Sequence, residues 1–208
     1  MNKLTHADVE VIEDQISFKG FYQLNTLALR HKLFLGGWSK TVSRELFKRH
    51  DAVGVLLYDP LLDAVALVEQ FRIGVFGSDV ARKNHQSPWI LELVAGLIDK
   101  EEVPAEVARR EAFEESGIIV EDIEPVGEYY SSPGGSNEYF YSFIGRADLT
   151  HAGGIHGLES EGEDIKVHLI QLDELWSKLD QGVLINAHTL IAVQWLKLHY
   201  KELKLRWS

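Results

Sequence analysis

Apolar and polar residues alternate in short runs through the first fifty residues of the chain. Runs rich in β-branched and aromatic residues predict strands at Val9–Ile12, Phe18–Arg30 and Lys40–Phe47, and Gly36-Gly37 marks a turn. Three strands make a poor independent core. We therefore expect residues 1–50 to form a small antiparallel β domain that docks on the rest of the chain or on a second copy of it.

The second part of the chain, residues 51–208, mixes strand patterns with helical ones. Strands are predicted at six runs: Ala52–Tyr58, Ala64–Phe71, Trp89–Val94, Ile123–Tyr130, Tyr139–Ile144 and Ile165–Ile170. Asp173 is expected to cap a short helix, and Ala187–Tyr200 has the pattern of a final amphipathic helix. Because strands and helices do not strictly alternate, this pattern predicts an α/β sandwich around a mixed sheet.

Two long segments, Gly74–Pro88 and Asp148–Asp164, show neither pattern and are predicted to be irregular. Loops of this length in a compact domain are often functional. The first segment is as easily a disordered insertion. The second carries the acidic run Glu159–Asp164, for which a solvated surface loop is the simplest interpretation.

The composition indicates a soluble globular protein. Hydrophobic residues make up 45% of the chain and charged residues 25%, and no apolar run is long enough to cross a membrane. Residues 1–8 lack the apolar core of a signal peptide. There are no cysteines, which excludes disulfides, thiol nucleophiles and thiolate zinc sites. We expect a cytoplasmic protein without a membrane partner.

The formal net charge of −11 limits the partners that the chain can have. Nucleic-acid binding requires clustered Lys and Arg, so we expect no nucleic-acid partner. A phosphate ester would also be repelled unless bound metal ions reversed the local charge. The acidity is therefore consistent with a site that works only when it holds metal.

A stripe of carboxylates provides the candidate chemistry. Glu111, Glu114 and Glu115 lie within about 100° of each other on a helix, where like charges destabilise it. A solvated acidic face is the simple interpretation of such a cluster. The alternative is a site for a hard divalent ion such as Mg²⁺ or Mn²⁺, which takes oxygen ligands.

The spacing around this stripe favours the metal site. The fixed positions follow the pattern G-x5-E-x7-R-E-U-x-E-E-x-G-U, with U aliphatic, at Gly96, Glu102, Arg110, Glu111, Glu114, Glu115, Gly117 and Ile118. Only Ala112 is small for its aliphatic position. The segment resembles the Nudix box at every fixed position. The resemblance implies a Nudix α/β/α sandwich and hydrolysis of a nucleoside diphosphate linked to another moiety.

The resemblance also implies a ligand set for Mg²⁺, with Mn²⁺ as a substitute. The expected metal site comprises Ala95, through its carbonyl, and the side chains of Glu111, Glu114, Glu115 and Glu163. Arg110 lies four residues from both Glu106 and Glu114, where it makes a surface ion pair or orients Glu114. Glu102 either binds metal through water or caps the helix.

Elements outside the box resemble bacterial ADP-ribose pyrophosphatases. Pro133 lies 16 residues after Gly117, Glu69-Gln70-Phe71-Arg72 matches an E-Q-x-R element, and Gly154–Leu158 precedes the acidic loop. This resemblance implies hydrolysis of ADP-ribose to AMP and ribose 5-phosphate. The same chemistry on another nucleotide sugar, such as GDP-mannose, is the alternative. A Nudix fold kept only as a ligand sensor is disfavoured, because all the box glutamates are present.

The same resemblance assigns the remaining roles. Glu161 is the expected catalytic base, and Glu163 is its backup or a further metal ligand. Arg72 is expected to pair with phosphate, because its planar fork suits phosphate oxygens. The other substrate-binding candidates are Arg44, Glu45, Ser132, Gly134 and Glu138. Bacterial members form domain-swapped homodimers, so the resemblance implies that the N-terminal domain contacts the base across a dimer.

Overall fold

The computed structural model describes residues 3–99 and 101–208, which fall into two compact units. The first unit is the chain up to Asp51 together with Tyr130–Tyr139. The second unit is Ala52–Tyr129 with Phe140–Ser208. The later segment of the first unit pairs with its early part, because the amide of Phe47 donates to the carbonyl of Gly135 at 2.8 Å.

The first unit contains a three-stranded antiparallel sheet in the order β1-β2-β3. Its strands are β1 (Val9–Lys19), β2 (Gln23–His31) and β3 (Val42–Lys48), and a 3₁₀ helix at His6–Asp8 precedes them. The predicted single strand at Phe18–Arg30 is wrong, because the chain turns between Lys19 and Gln23. The predicted turn at Gly36-Gly37 is confirmed by their φ angles of +90° and +80°, which favour glycine.

The second unit is built on a mixed sheet with the strand order β10-β11-β5-β4-β9-β8. The strands are β4 (Ala52–Asp59), β5 (Ala64–Phe71), β6 (Trp89–Glu92), β7 (Val94–Leu97), β8 (Asp122–Tyr130), β9 (Tyr139–Arg146), β10 (Ile155–His156) and β11 (Ile165–Gln171). The helices are α1 (Ile73–Phe76), α2 (Asp79–Lys83), α3 (Pro104–Ser116), α4 (Leu172–Asp180) and α5 (Ala187–Trp207).

Strands β4 and β5 pair only near their connecting turn and then separate. Strand β6 pairs with β5 and strand β7 with β4, both antiparallel, so the chain changes partner at Leu93. The predicted continuous strand Trp89–Val94 is wrong at this point, since a change of partner requires a break. After the break, β7 pairs with β4, and its residues Ala95 and Gly96 lie against α3.

Helices cover both faces of the sheet. Along β4, Val53 and Val55 pack with the α3 side, whereas Leu56 and Tyr58 pack in the cluster that contains α5. This alternation follows from the two-residue period of a strand. On α3, the small residues Ala108 and Ala112 are buried, at 1% and 0% exposure. The α/β fold with a small antiparallel β sheet is therefore confirmed.

Three local expectations differ from the structure. Gly74–Pro88 is not wholly irregular, because it contains α2, whose N-cap Ser78 accepts from the amide of Ala81. Asp148–Asp164 contains β10 and a 3₁₀ helix at Glu159–Glu161. Asp173 is not an N-cap: β11 runs directly into α4, so Gln171 takes the cap position and Asp173 lies in the first turn.

The last helix begins where the sequence predicts and extends beyond Tyr200 to Trp207. Its N-cap is Asn186, whose side chain accepts from the amide of Thr189. No helix in the described ranges 3–99 and 101–208 is long and apolar enough to cross a membrane.

Candidate active site

Glu115 is a buried carboxylate on the face of α3 that packs against β7. It is 3% exposed, and its Oε2 accepts from the amide of Ala95 at 3.1 Å. Burial raises the pKa of Glu115 to about 8, with a smaller upward contribution from the charge of Glu111. The hydrogen bond from the Ala95 amide and the charge of Arg72 lower this pKa, but the effect of burial is larger.

Glu111 lies one helical turn earlier and packs against the backbone of β7. A Cβ placed on Gly96 would lie 2.1 Å from both Cδ and Oε1 of Glu111, so a side chain there would displace the Glu111 carboxylate. Burial raises the pKa of Glu111 to about 7, the Arg110 guanidinium lowers it and the Glu114 carboxylate raises it. The strand therefore determines where this carboxylate lies.

Arg110 joins the two partly buried glutamates beside it. Its Nη1 donates to Glu114 Oε2 at 2.8 Å and lies 2.9 Å from Glu111 Oε1. Of the two glutamates four residues away, Arg110 pairs with Glu114, whereas Glu106 pairs with Arg109 at 3.8 Å. Arg110 thus holds two carboxylates of the stripe in one arrangement.

Glu102 does not cap α3. Its Oε2 accepts from the amide of Asp99 at 3.0 Å, and the N-cap position belongs to Val103, which makes no side-chain cap bond. Pro104 follows at the first helical position, where its missing N–H costs no hydrogen bond. Glu102 therefore stabilises the turn before the helix.

The acidic loop brings Glu163 to the same group. Glu163 Oε2 accepts from the amide of Leu158 at 3.0 Å, and its charge raises the pKa of both Glu111 and Glu115. The loop folds tightly here, since a Cβ on Gly157 would lie 2.7 Å from that of Glu163. The backbone of Glu161 lies in the 3₁₀ helix Glu159–Glu161, and its side chain is outside the described part of the chain.

Arg72 supplies positive charge to this group of carboxylates. It lies directly after β5, and its Nε donates to Glu92 Oε2 at 2.5 Å. The charge of Arg72 lowers the pKa of Glu115, which places it within electrostatic range of the stripe. Glu92 is itself buried, which raises its pKa, whereas Arg72 lowers it.

The residues fit a divalent ion whose ligands come partly from the protein and partly from the substrate. The buried Glu115 and the partly buried Glu111 lie beside the backbone of β7, and burial raises the pKa of both, which a bound cation would offset. Among the residues that the structure describes, no three His, Asp or Glu side chains converge to hold an ion alone. Mg²⁺ commonly binds one or two carboxylates and completes its shell with water and substrate phosphates.

The other substrate-binding candidates belong to the first unit. Arg44 and Glu45 are exposed on β3, and Ser132 and Gly134 are exposed in the segment after β8. Glu138 is buried, at 5% exposure, and pairs with Arg49 at 2.9 Å. The predicted site residues are thus divided: Arg72, Ala95, Glu111, Glu114, Glu115 and Glu163 share the second unit.

Two polar residues of the second unit were not identified from the sequence. Asn186 donates to Glu92 Oε1 at 2.7 Å, so Glu92 is held on both of its oxygens. The one available signal was the position of Glu92 within the apolar run Trp89–Leu97, because a charge there must be buried. Its partners are far away in the sequence and could not be inferred.

Comparison with known proteins identifies relatives along the whole chain. Residues 48–192 match the NUDIX domain family. The ADP-ribose pyrophosphatase of Escherichia coli (strain K12) is 42% identical over 97% of this chain and 93% of its own. The ADP-ribose pyrophosphatase of Haemophilus influenzae is 40% identical over 100% and 96%, respectively.

More distant relatives differ in the substrate that they are named for. The GDP-mannose pyrophosphatase of Cronobacter sakazakii is 31% identical over 92% of this chain and 96% of its own. A solved crystal structure of an ADP compounds hydrolase covers 98% of both chains with a TM-score of 0.70. Its sequence identity is 16%, so this likeness shows a shared fold.

Proposed function

The chain belongs to the Nudix family of hydrolases, and we propose that its reaction is the Mg²⁺-dependent hydrolysis of ADP-ribose to AMP and ribose 5-phosphate. The observation that carries the proposal is 42% identity to an ADP-ribose pyrophosphatase over 97% of the chain. The relative named for GDP-mannose is less similar, at 31%. The carboxylates around β7 support the reaction type. The higher sequence identity to the ADP-ribose pyrophosphatases supports ADP-ribose as the substrate.

The residues that would hold the metal are Glu111 and Glu115 with the carbonyl of Ala95, flanked by Glu114 and Glu163. A bound Mg²⁺ or Mn²⁺ neutralises the pyrophosphate and lowers the pKa of a water molecule. Burial of Glu115 and the contact of Glu111 with Gly96 keep both carboxylates in place before the ion arrives. A preorganised pair of this kind limits the reorganisation that binding would otherwise require.

In the proposed reaction, Glu161 accepts a proton from water, and the water oxygen attacks one phosphorus. The bond between that phosphorus and the bridging oxygen breaks, and the bridging oxygen leaves on the other phosphate. Glu163 is the alternative base on the same loop. The bond from the Leu158 amide to Glu163 supports a fixed orientation for that residue.

We infer that Arg72 binds the pyrophosphate and that the adenosine side is bound by Arg44, Glu45, Ser132, Gly134 and Glu138. In this proposal residues 1–50 form a dimerisation and base-binding domain, and residues 51–208 form the hydrolase domain. Two copies exchange N-terminal domains in a homodimer in the cytoplasm. The placement of Arg44 and Glu45 on exposed positions of β3 is compatible with contact to a ligand.

The substrate can be tested by direct comparison. The purified protein is incubated with ADP-ribose or GDP-mannose, with Mg²⁺ or with EDTA, and products are identified by chromatography. We expect AMP and ribose 5-phosphate from ADP-ribose, a higher kcat/KM than for GDP-mannose, and no turnover in EDTA. A higher kcat/KM for GDP-mannose would show that the substrate assignment is wrong.

The metal assignment is tested on α3 itself. Glu111→Gln and Glu115→Gln should each lower kcat/KM by more than roughly 100-fold, beyond the range typical of supporting residues. Glu106→Gln is the matched control, because it removes the same charge from a 73% exposed side chain of the same helix. Full activity in a variant that carries both Glu111→Gln and Glu115→Gln would overturn the assignment.

A further inference from the structure

Glu92 is a buried carboxylate whose two oxygens are held by different elements. It is 3% exposed, at the end of β6. Its Oε2 accepts from Arg72 Nε at 2.5 Å, and its Oε1 accepts from Asn186 Nδ2 at 2.7 Å. A buried charge is tolerated only when it is paired and hydrogen-bonded, so Glu92 depends on both partners.

Asn186 is fixed in turn by the start of α5. Its Oδ1 accepts from the Thr189 amide at 2.9 Å and from the Thr189 hydroxyl at 3.1 Å. That hydroxyl accepts from the amide of Leu93 at 3.0 Å, and Leu93 directly follows Glu92. The network therefore closes on itself and ties the break between β6 and β7 to the N-terminus of α5.

Arg72 is the member of the network that faces outward. Glu92 lies opposite Val68 in the pairing of β6 with β5, and Arg72 is four residues after Val68, on the same face of the sheet. Its Nε is bound to Glu92, and 41% of its side chain remains exposed. A guanidinium held at Nε has a fixed plane, and its terminal nitrogens can still donate two parallel bonds.

We propose that Glu92 is a positioning residue for the hydrolysis: it fixes the plane of the Arg72 guanidinium against the pyrophosphate, and Asn186 anchors it to α5. The inference rests on the proposed function, which supplies the pyrophosphate. Without Glu92, the Arg72 side chain keeps its charge but is free to move among several rotamers. The ordering of Arg72 would then oppose substrate binding.

Glu92→Gln tests the proposal because it keeps the shape of the side chain. Arg72 and Asn186 donate to different oxygens of Glu92, and a glutamine has an NH₂ group in place of one of them, so it loses one of the two bonds. We expect kcat/KM for ADP-ribose to fall on the order of 10- to 100-fold, as for other lost orienting partners. Asp79→Asn is the control, since it removes a charge from a 95% exposed side chain.

A double-mutant cycle separates positioning from general support of the fold. If Glu92 acts through Arg72, Glu92→Gln should change kcat/KM by less than about twofold when Arg72→Ala is already present. An equal loss in both backgrounds would overturn the proposal. Melting temperatures of all variants identify any loss of activity that comes from unfolding.

The link between Glu92 and α5 is tested separately, by exchanging the hydrogen-bond donor and acceptor between Glu92 and Asn186. In the variant that combines Glu92→Gln with Asn186→Asp, the glutamine amide can donate to the new carboxylate while its oxygen accepts from Arg72. Aspartate is also a favoured N-cap, so α5 keeps its start. We expect this variant to recover most of the activity lost in Glu92→Gln. A variant no more active than Glu92→Gln would overturn the link.

NMR of the metal-free protein provides a readout that does not depend on activity. The Arg72 Nε–H should exchange slowly with water in the wild type, quickly in Glu92→Gln, and slowly again in the combined variant. Absence of turnover in the wild type with this NMR pattern intact would refute the proposed function alone. Turnover of ADP-ribose with a rapidly exchanging Arg72 Nε–H in the wild type would refute the positioning role alone.

Discussion

At Gly96 the backbone of β7 passes so close to Glu111 that the strand has no room for a side chain. A Cβ there would lie 2.1 Å from Cδ and Oε1 of Glu111, a separation that real Cβ atoms do not adopt. The glycine of the box therefore leaves room for the Glu111 carboxylate, and its φ angle is not in the left-handed region.

Gly96→Ala should displace Glu111 from its position and lower kcat/KM for ADP-ribose on the order of 100-fold, the cost of moving a reacting group by about 1 Å. Steady-state kinetics with Mg²⁺ measures the loss. Gly127→Ala is the matched control, because Gly127 also lies in a strand and a Cβ there would meet nothing within 4 Å. Equal activity in the two variants would show that the position of Glu111 does not depend on Gly96.

The raised pKa values of Glu111 and Glu115 predict a pH-dependent response to metal. Burial raises these pKa values to about 7 and about 8, from a value of 4.5 in an exposed carboxyl. Between pH 4.5 and 8 the folded metal-free protein then binds more protons than the unfolded chain. The contribution of these groups to the free energy of unfolding falls as the pH rises through this range.

Metal competes with these protons, so its stabilising effect should grow with pH. We expect Mg²⁺ to raise the melting temperature more at pH 8.5 than at pH 5.5, as measured by differential scanning fluorimetry. The variant that carries both Glu111→Gln and Glu115→Gln should lose this difference. A larger metal effect at pH 5.5 in the wild type would contradict the assignment.

At the scale of elements, the sequence predicts what depends on local burial. Short apolar runs locate β4 and β5, and the spacing of the box glutamates locates α3. The break at Leu93 cannot be predicted from the sequence. Both halves of Trp89–Leu97 are mostly apolar, and they differ only in the strand with which they pair. For the same reason the contact between Glu92 and Asn186, 94 residues apart, could not be inferred.

The C-terminal end of α3 is coupled to the loop that carries Glu163. Gly117 ends the helix in a left-handed conformation with φ +68°, and a Cβ there would lie 3.0 Å from the ring of His156. His156 Nε2 lies 2.8 Å from the carbonyl oxygen of Gly153 in the same loop. A side chain at position 117 would therefore press on the loop as well as strain the cap.

Gly182, which follows α4, separates these two effects. Its φ of +69° matches that of Gly117, but a Cβ there would meet nothing within 4 Å. Gly117→Ala and Gly182→Ala should each lower the free energy of unfolding by about 1–2 kcal/mol, measured by urea denaturation. Only Gly117→Ala should also lower kcat/KM. Unchanged activity in Gly117→Ala would show that the loop does not depend on this contact.

At the scale of the whole molecule, a chain with a net charge of −11 has to bind an anionic substrate. Arg72 and the proposed metal bring positive charge to the carboxylates of α3, where the proposed pyrophosphate would bind. The sequence predicts the metal from the spacing of the box glutamates, and the net charge is consistent with it, but the position of Arg72 beside Glu92 and Glu115 follows only from the fold.

The exposure of β1 makes a second copy of the chain the expected partner. All 11 residues of this strand are exposed, including Val11, Ile12, Ile16 and Phe18, which are 53–62% exposed. A long edge strand with apolar side chains promotes association unless it is covered. Light scattering should therefore give a molar mass twice the 23.6 kDa of one chain.

Ile16→Glu should weaken this association, because it places a charge in the surface that the partner covers. Gln15→Glu is the matched control, since it adds the same charge at the neighbouring residue, which points to the other face of the strand. If the partner completes the adenosine site, kcat/KM of Ile16→Glu should fall as the protein is diluted and dissociates, whereas Gln15→Glu should keep the wild-type value. A monomeric wild-type protein with full activity would exclude the exchanged dimer, and the base would then have to be bound within one chain.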